Sequence, residues 1–179
     1  MRRKVFAAGV VVVVLGGAFA LYWFTPWKAF TTTTVADTLP AVATAAPTSP
    51  ASATPPSAST EPANRLVAQG AFVSHAHETT GRVQLIRLAD GRYQLVIATL
   101  RTSDGPDVRV WLTDQPVPTK EPYNIYGKGK YVELGPLKGN AGDLVYDIPT
   151  GTDLSAFTSV DLWCKRFSVS FGAAELRAA

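Results

Sequence analysis

The chain holds one cysteine, Cys164, in the stretch Asp161-Leu162-Trp163-Cys164-Lys165-Arg166-Phe167. A thiolate can act as a nucleophile, an electron donor or a metal ligand, and neighbouring cations favour it over the thiol. Lys165 and Arg166 follow it directly. A lone cysteine has no disulfide partner in its own chain, which leaves exchange with another molecule, ligation or burial. Two histidines, His75 and His77, form an H-x-H pair that a strand would present on one face. Two imidazoles and one thiolate suit copper in a β-sandwich. A backbone oxygen would replace the axial methionine, because Met1 is the only methionine. Asp107 closes the turn signal Ser103-Asp104-Gly105-Pro106-Asp107. Its carboxylate either bonds turn amides or shares a pocket with Cys164 and His77.

Three readings of Cys164 stay open. It is a small buried hydrophobe, a reactive thiol stabilised by its basic neighbours, or a ligand to a metal or haem. Hydrolase signatures are absent: there is no G-x-S-x-G and no H-E-x-x-H. The turn-rich Leu137–Asp143 stretch lacks the Gly-Lys-Ser/Thr element of a phosphate loop. No reaction is assigned from these residues. From Asn64 onward there are 13 Lys and Arg against 12 Asp and Glu. That near-neutral balance gives no electrostatic case for a nucleic-acid partner.

The elements that would position Cys164 begin after two other segments. Residues 5–24 carry no charge and follow Arg2-Arg3-Lys4. Twenty helical residues span about 30 Å, the hydrocarbon thickness of a bilayer. The basic residues before the run place the amino terminus in the cytoplasm, and Tyr22, Trp23 and Trp27 fit an interfacial belt. Residues 1–30 are therefore expected to be a single-pass signal anchor in the cell membrane. Cleavage after Ala18-Phe19-Ala20 is the competing expectation. Either way the rest of the chain is extracytoplasmic.

Residues 31–63 are mostly Thr, Ala, Pro and Ser, with six prolines and two charges, Asp37 and Glu61. Such a stretch buries too little apolar area to offset ordering, so a disordered linker is expected. Thirty-three residues would span about 30 Å as a coil and about 100 Å extended.

Residues 64–179 read as strands. Gly81–Leu88 and Tyr93–Leu100 form a hairpin around Ala89-Asp90-Gly91. Alternation puts Val108, Val110 and Leu112 on one face, Leu144, Tyr146 and Ile148 on one face, and Val160, Leu162 and Cys164 on one face. Arg65–His75 supplies a further strand. The expected fold is all-β, a single antiparallel sandwich or barrel of seven or eight strands. Residues 114–130 are an irregular loop expected to cover one end of it. Apolar residues fall on even positions up to Cys164 and on odd positions from Phe167. The inward register must shift between them, and a bulge is expected there.

The segments Gly105–Leu112, Leu134–Pro149 and Phe157–Leu176, read in that order, resemble the DM-thirteen domain, the family labelled electron transfer. His77-Glu78-Thr79-Thr80-Gly81 resembles the family's early histidine-to-glycine motif. The resemblance covers residues 66–176. It implies a small β-sandwich with a characteristic cysteine, here Cys164, and a redox role through a bare thiol or a group such as haem. His77 falls on the family motif and His75 does not. Related domains sit beside DOMON domains and b-type cytochromes, which implies a separate envelope redox protein as the partner here. The reading that competes with it is a non-catalytic envelope-interaction module with a structural cysteine.

Overall fold

A computed structural model describes residues 13–22, 31–42 and 63–179. Residues 13–22 are helical and exposed. No helix among the described residues is long and apolar enough to cross a membrane. Most of the expected anchor, and residues 43–62 of the expected linker, lie outside the described residues.

Among the described residues ten strands form, rather than seven or eight. They are β1 (Thr34–Ala36), β2 (Arg65–Ser74), β3 (Thr80–Arg87), β4 (Tyr93–Arg101), β5 (Val108–Thr113), β6 (Tyr131–Pro136), β7 (Ala141–Asp147), β8 (Ser159–Cys164), β9 (Val169–Glu175) and β10 (Arg177–Ala178). They make one sheet in the order β1-β7-β4-β3-β2-β9-β8-β5-β6, with β10 beside β2. Strand β2 is the pivot. Its first part pairs with β3 and its last three residues, Phe72 to Ser74, pair with β9. One strand shared between two directions curls the sheet into a half-barrel, so that two half-sheets face each other. All pairs are antiparallel except β1 with β7.

The inner faces carry the residues that alternation selects. Leu95, Ile97, Leu144, Tyr146 and Ile148 come from one half-sheet; Val108, Val110, Leu112, Val160, Leu162 and Cys164 come from the other. Each fully buried Leu, Ile or Val contributes about 1.5–3 kcal/mol relative to exposure. This cluster is the main source of stability.

The register change after Cys164 is made by a turn, not a bulge. Cys164 pairs with Val169, and residues 165–168 form a four-residue turn between them. Ser168 takes a left-handed φ of 52° there. An even-length turn brings an even inward position opposite an odd one, so the parity changes without a bulge. Phe167 lies in the turn and is 48% exposed, which removes it from the expected inward set. A bulge does occur in the β8–β9 pair, further along, between Asp161 and Trp163.

Two more expectations are corrected. Residues 114–130 do not cap an end of the half-barrel. They lie over the outer face of β5, β8 and β9, where Val117, Ile125 and Tyr126 pack on Trp111 and Trp163. Residues 31–42 are not free linker either. Strand β1 adds in parallel to β7, and Thr33 accepts hydrogen bonds from the amides of Asn140 and Ala141. The Asn140 side chain accepts from the Thr33 amide at 2.7 Å and donates to the carbonyls of Thr31 and Thr102. Asp37 binds Lys138 at 2.7 Å and accepts from the Val145 amide at 2.9 Å. Asn64 then donates to the Ala41 carbonyl at 2.9 Å. Gly142 makes this docking possible: its φ is +103°, and a Cβ there would lie 1.9 Å from the Val35 carbonyl oxygen. Gly142→Ala is expected to cost about 1–3 kcal/mol and to detach β1 alone. Amide exchange checks this. Asp37 and Asn140 should lose protection while the β3–β4 ladder keeps it.

Candidate functional site

Cys164 ends β8, a strand flanked by β5 and β9, and lies opposite Val108 and Val169. Its side chain joins the inner apolar cluster, and the residue is 0% exposed. The two cations beside it are exposed in the turn. Lys165 Nζ lies 3.3 Å from Glu133. The Lys165 amide donates to the Asp107 carbonyl at 2.9 Å. Backbone pairing therefore brings Asp107 next to Cys164, but its side chain turns outward. Asp107 accepts from Arg109 Nε at 2.6 Å, and Arg109 also reaches Glu133 at 3.2 Å. Asp107, Arg109, Glu133 and Lys165 form one partly exposed ionic network. Its hydrogen bond to Asp107 raises the Arg109 pKa.

His77 and His75 leave the end of β2 in different directions. The H-x-H pair lies past the last residue of β2, Ser74, so strand alternation does not apply to it. His77 packs on Phe171 of the inner cluster, with ring centroids 3.7 Å apart. Burial lowers its pKa. The motif around it is structural at Thr79, whose buried hydroxyl contacts the carbonyls of His77 and Phe171 and the Thr102 hydroxyl. His75 turns to the outer face. Its Nδ1 lies 2.6 Å from Ser170 Oγ and its Nε2 lies 3.0 Å from the Pro118 carbonyl oxygen. Among the described residues, no three His, Cys, Asp or Glu side chains converge as a metal site. A copper or haem held by Cys164 with the histidines does not fit, because the sulfur faces the core and the two imidazoles diverge.

The His77 position yields a directional test. Burial holds its folded pKa below the ordinary 6.5. The neutral ring is thus favoured on folding, and that stability is present above pH 6.5 and lost as pH falls through the folded value. His77→Phe keeps the ring contact and removes the titration. The melting temperature of the wild type, relative to this variant, is expected to fall as pH drops from neutral towards 5.

The outer face of β5, β8 and β9 holds what the sequence reading missed. Trp111 and Trp163 lie there with ring centroids 5.2 Å apart. Tyr131 stacks on Trp111 at 3.8 Å, and Tyr126 meets Trp163 edge-on at 6.5 Å. His75 lies 5.9 Å from Tyr126 and 4.5 Å from Tyr123. Six rings thus run in series from Tyr123 through His75, Tyr126, Trp163 and Trp111 to Tyr131. The inner four-ring part is buried or half-buried, and Tyr131 is 45% exposed. Among these rings sits Asp161, fully buried and hydrogen-bonded to Ser170. Burial raises its pKa well above the usual carboxylate range. Asp161 Oδ2 and the Tyr126 hydroxyl are both buried without a hydrogen-bond partner. The available signal was a carboxylate at an outward position in the middle of an apolar strand, beside a tryptophan.

A family model described as Electron transfer DM13 matches residues 71–176, more than half of the 179 residues. The chain belongs to the electron transfer DM13 family. No curated protein and no solved structure matches it. The DM13 span contains the inner cysteine, both histidines, Asp107, Asp161, Ser170 and all six rings. It excludes β1, although the residues that dock it, Lys138 to Val145, lie inside the span. Within this DM13 domain the chemistry is divided between the two faces of one half-sheet. The sulfur is on the sealed inner face; the polar and aromatic groups are on the outer face, under residues 114–130.

Proposed function

We propose that this chain is an extracytoplasmic electron-transfer domain, held at the cell membrane by its N-terminal apolar run, and that electrons pass along the outer-face rings rather than through Cys164. The observation that carries this reading is the ring series from Tyr123 to Tyr131, in which no neighbouring centroids are more than 6.5 Å apart. Tryptophan and tyrosine are the protein side chains, besides cysteine, that give up one electron most readily. A close series of them offers successive short steps in place of one long one. The exposed ring of Tyr131 is the end at which a separate envelope redox protein would meet the series. Membrane attachment is supported by the uncharged residues 5–24 after Arg2-Arg3-Lys4.

The test is photochemical. The full-length chain in detergent is mixed with photogenerated tris(bipyridine)ruthenium(III), a one-electron oxidant. Transient absorption is expected to show oxidised Trp111 and Trp163, with loss of the Trp163 signal and of inward transfer in Trp163→Phe. Oxidation kinetics unchanged in that variant would overturn the reading.

One observation favours the second reading, a non-catalytic envelope-interaction module with a structural cysteine. It is the sealed position of Cys164. The same flash experiment separates the two, because an interaction module has no need of ordered transfer between rings.

A further inference from the structure

The hydrogen bonds around His75 fix how many protons its network holds. The Pro118 carbonyl can only accept, so His75 Nε2 carries a hydrogen. Ser170 Oγ has one proton and two neighbours, His75 Nδ1 and Asp161 Oδ1. If His75 is neutral, Nδ1 is an acceptor and takes the serine proton. Asp161 must then be the carboxylic acid that donates to Ser170. If His75 is the imidazolium, Nδ1–H donates to Ser170, and Ser170 donates to an Asp161 carboxylate. Both arrangements hold the same number of protons. They interconvert by moving one proton along each of two hydrogen bonds. Burial disfavours the charged forms of both His75 and Asp161, which favours the neutral arrangement.

At the far end of this line lie the two buried groups without partners, Asp161 Oδ2 and the Tyr126 hydroxyl. One is an acceptor and the other a donor, and Asp161 acts electrostatically on Tyr126. Leaving either one unpaired costs about 1–3 kcal/mol, which the fold tolerates at this place and at no other side chain among the described residues.

We propose that Asp161, Ser170 and His75 form a proton relay that receives the phenolic proton when Tyr126 is oxidised; this rests on the reading that the ring series carries electrons. The oxidant is a one-electron acceptor strong enough for a phenol, such as a high-valent metal complex or an organic peroxyl radical. One electron leaves Tyr126 through Trp163, Trp111 and Tyr131 and reduces that acceptor. The Tyr126 hydroxyl, which bonds nothing at rest, turns to Asp161 Oδ2; its O–H bond breaks and the proton goes to that oxygen. The Oδ1 proton passes to Ser170 Oγ, and the serine proton passes to His75 Nδ1. The products are a neutral tyrosyl radical, an unchanged neutral Asp161 and Ser170, and an imidazolium at His75, whose Nε2–H still faces Pro118. The charge lost by the acceptor reappears on His75, at the half-buried end of the line.

The experiment uses the full-length chain in detergent with photogenerated ruthenium(III), read by transient absorption and electron paramagnetic resonance. The wild type is expected to give a tyrosyl radical that Tyr126→Phe removes, and deuterated solvent is expected to slow its formation. Ser170→Ala cuts the relay at little cost in volume, and His75→Phe keeps the ring but removes the proton acceptor. Each is expected to abolish the tyrosyl signal while tryptophan oxidation persists. A tyrosyl yield unchanged in both variants, or tryptophan oxidation with no Tyr126 radical in the wild type, overturns the relay and leaves the ring series standing. Failure to oxidise Trp111 or Trp163 at all overturns the ring series itself.

Discussion

Alkylation of Cys164 in the native protein is expected to run at least about a thousandfold slower than in the urea-unfolded chain. The sulfur is 0% exposed, and the strand that carries it is flanked by β5 and β9. Its side chain lies in the inner cluster, between the two half-sheets. Reagent reaches it only when the two half-sheets separate, so the rate is scaled by the opening equilibrium. With an opening free energy of about 5 kcal/mol, the low end for a domain, the slowing is already between about 10³ and 10⁴. A time course with a small alkylating reagent, quenched and read by mass, measures it. A native rate within about tenfold of the unfolded one would mean local access to the sulfur, and would return the thiol to the redox chemistry. Cys164→Ser adds a second reading of the same environment. It buries a hydroxyl among apolar side chains and is expected to cost about 1–3 kcal/mol, whereas Cys164→Ala leaves only a small gap.

Trp163→Ala is expected to cost about 3–5 kcal/mol, the range for removing a large buried aromatic. The loss is spread over two layers. Trp163 lies on β8 with Trp111 and Tyr126 against it, and the backbone at Gly127 comes so close that a Cβ there would sit 3.1 Å from the indole. Removing the indole takes away the floor on which residues 114–130 rest. The amide of Ser170, bonded to the Tyr123 carbonyl at 3.0 Å, should lose exchange protection along with the stability. Trp163→Phe refills most of the space, and its destabilisation should be well below that of the alanine variant. Urea unfolding of the three proteins checks the order. Equal stability of Trp163→Ala and wild type would mean that the loop is not held by this face.

The inner face was legible because a pleated strand sends every second side chain the same way. Val108, Val110 and Leu112, then Leu144, Tyr146 and Ile148, then Val160, Leu162 and Cys164 all lie where alternation puts them. The outer face was not legible for the same reason. Alternation turns Asp161, Trp163 and Trp111 away from the inner face, and only a tertiary contact with an aperiodic loop buries the two tryptophans. His75 and His77 misled because the period of two ends with β2, one residue before the pair begins. The parity change after Cys164 was visible in the sequence, but a four-residue turn and a bulge shift parity alike, and composition does not separate them. Strand β1 was invisible because Thr34-Val35-Ala36 sits in a Thr, Ala and Pro tract and is held by backbone and by Asn140 and Lys138, more than a hundred residues away.

The docking of β1 takes Thr31 to Asp37 out of the spacer. Counted by composition alone, the Thr, Ala, Pro and Ser tract before the strands is 33 residues long, a flexible arm. Thr31 to Asp37 are fastened to the sheet edge and Ala41 is joined to Asn64, so the chain is held against the domain on both sides of the tract between them. If the uncharged run anchors the chain as proposed, residues 25–30 alone bridge it to the docked segment, at most about 20 Å when fully extended. On the proposed membrane attachment, so short a connection confines the domain's reach to whatever stands within a few nanometres of the lipid, with the β1–β7 edge nearest to it.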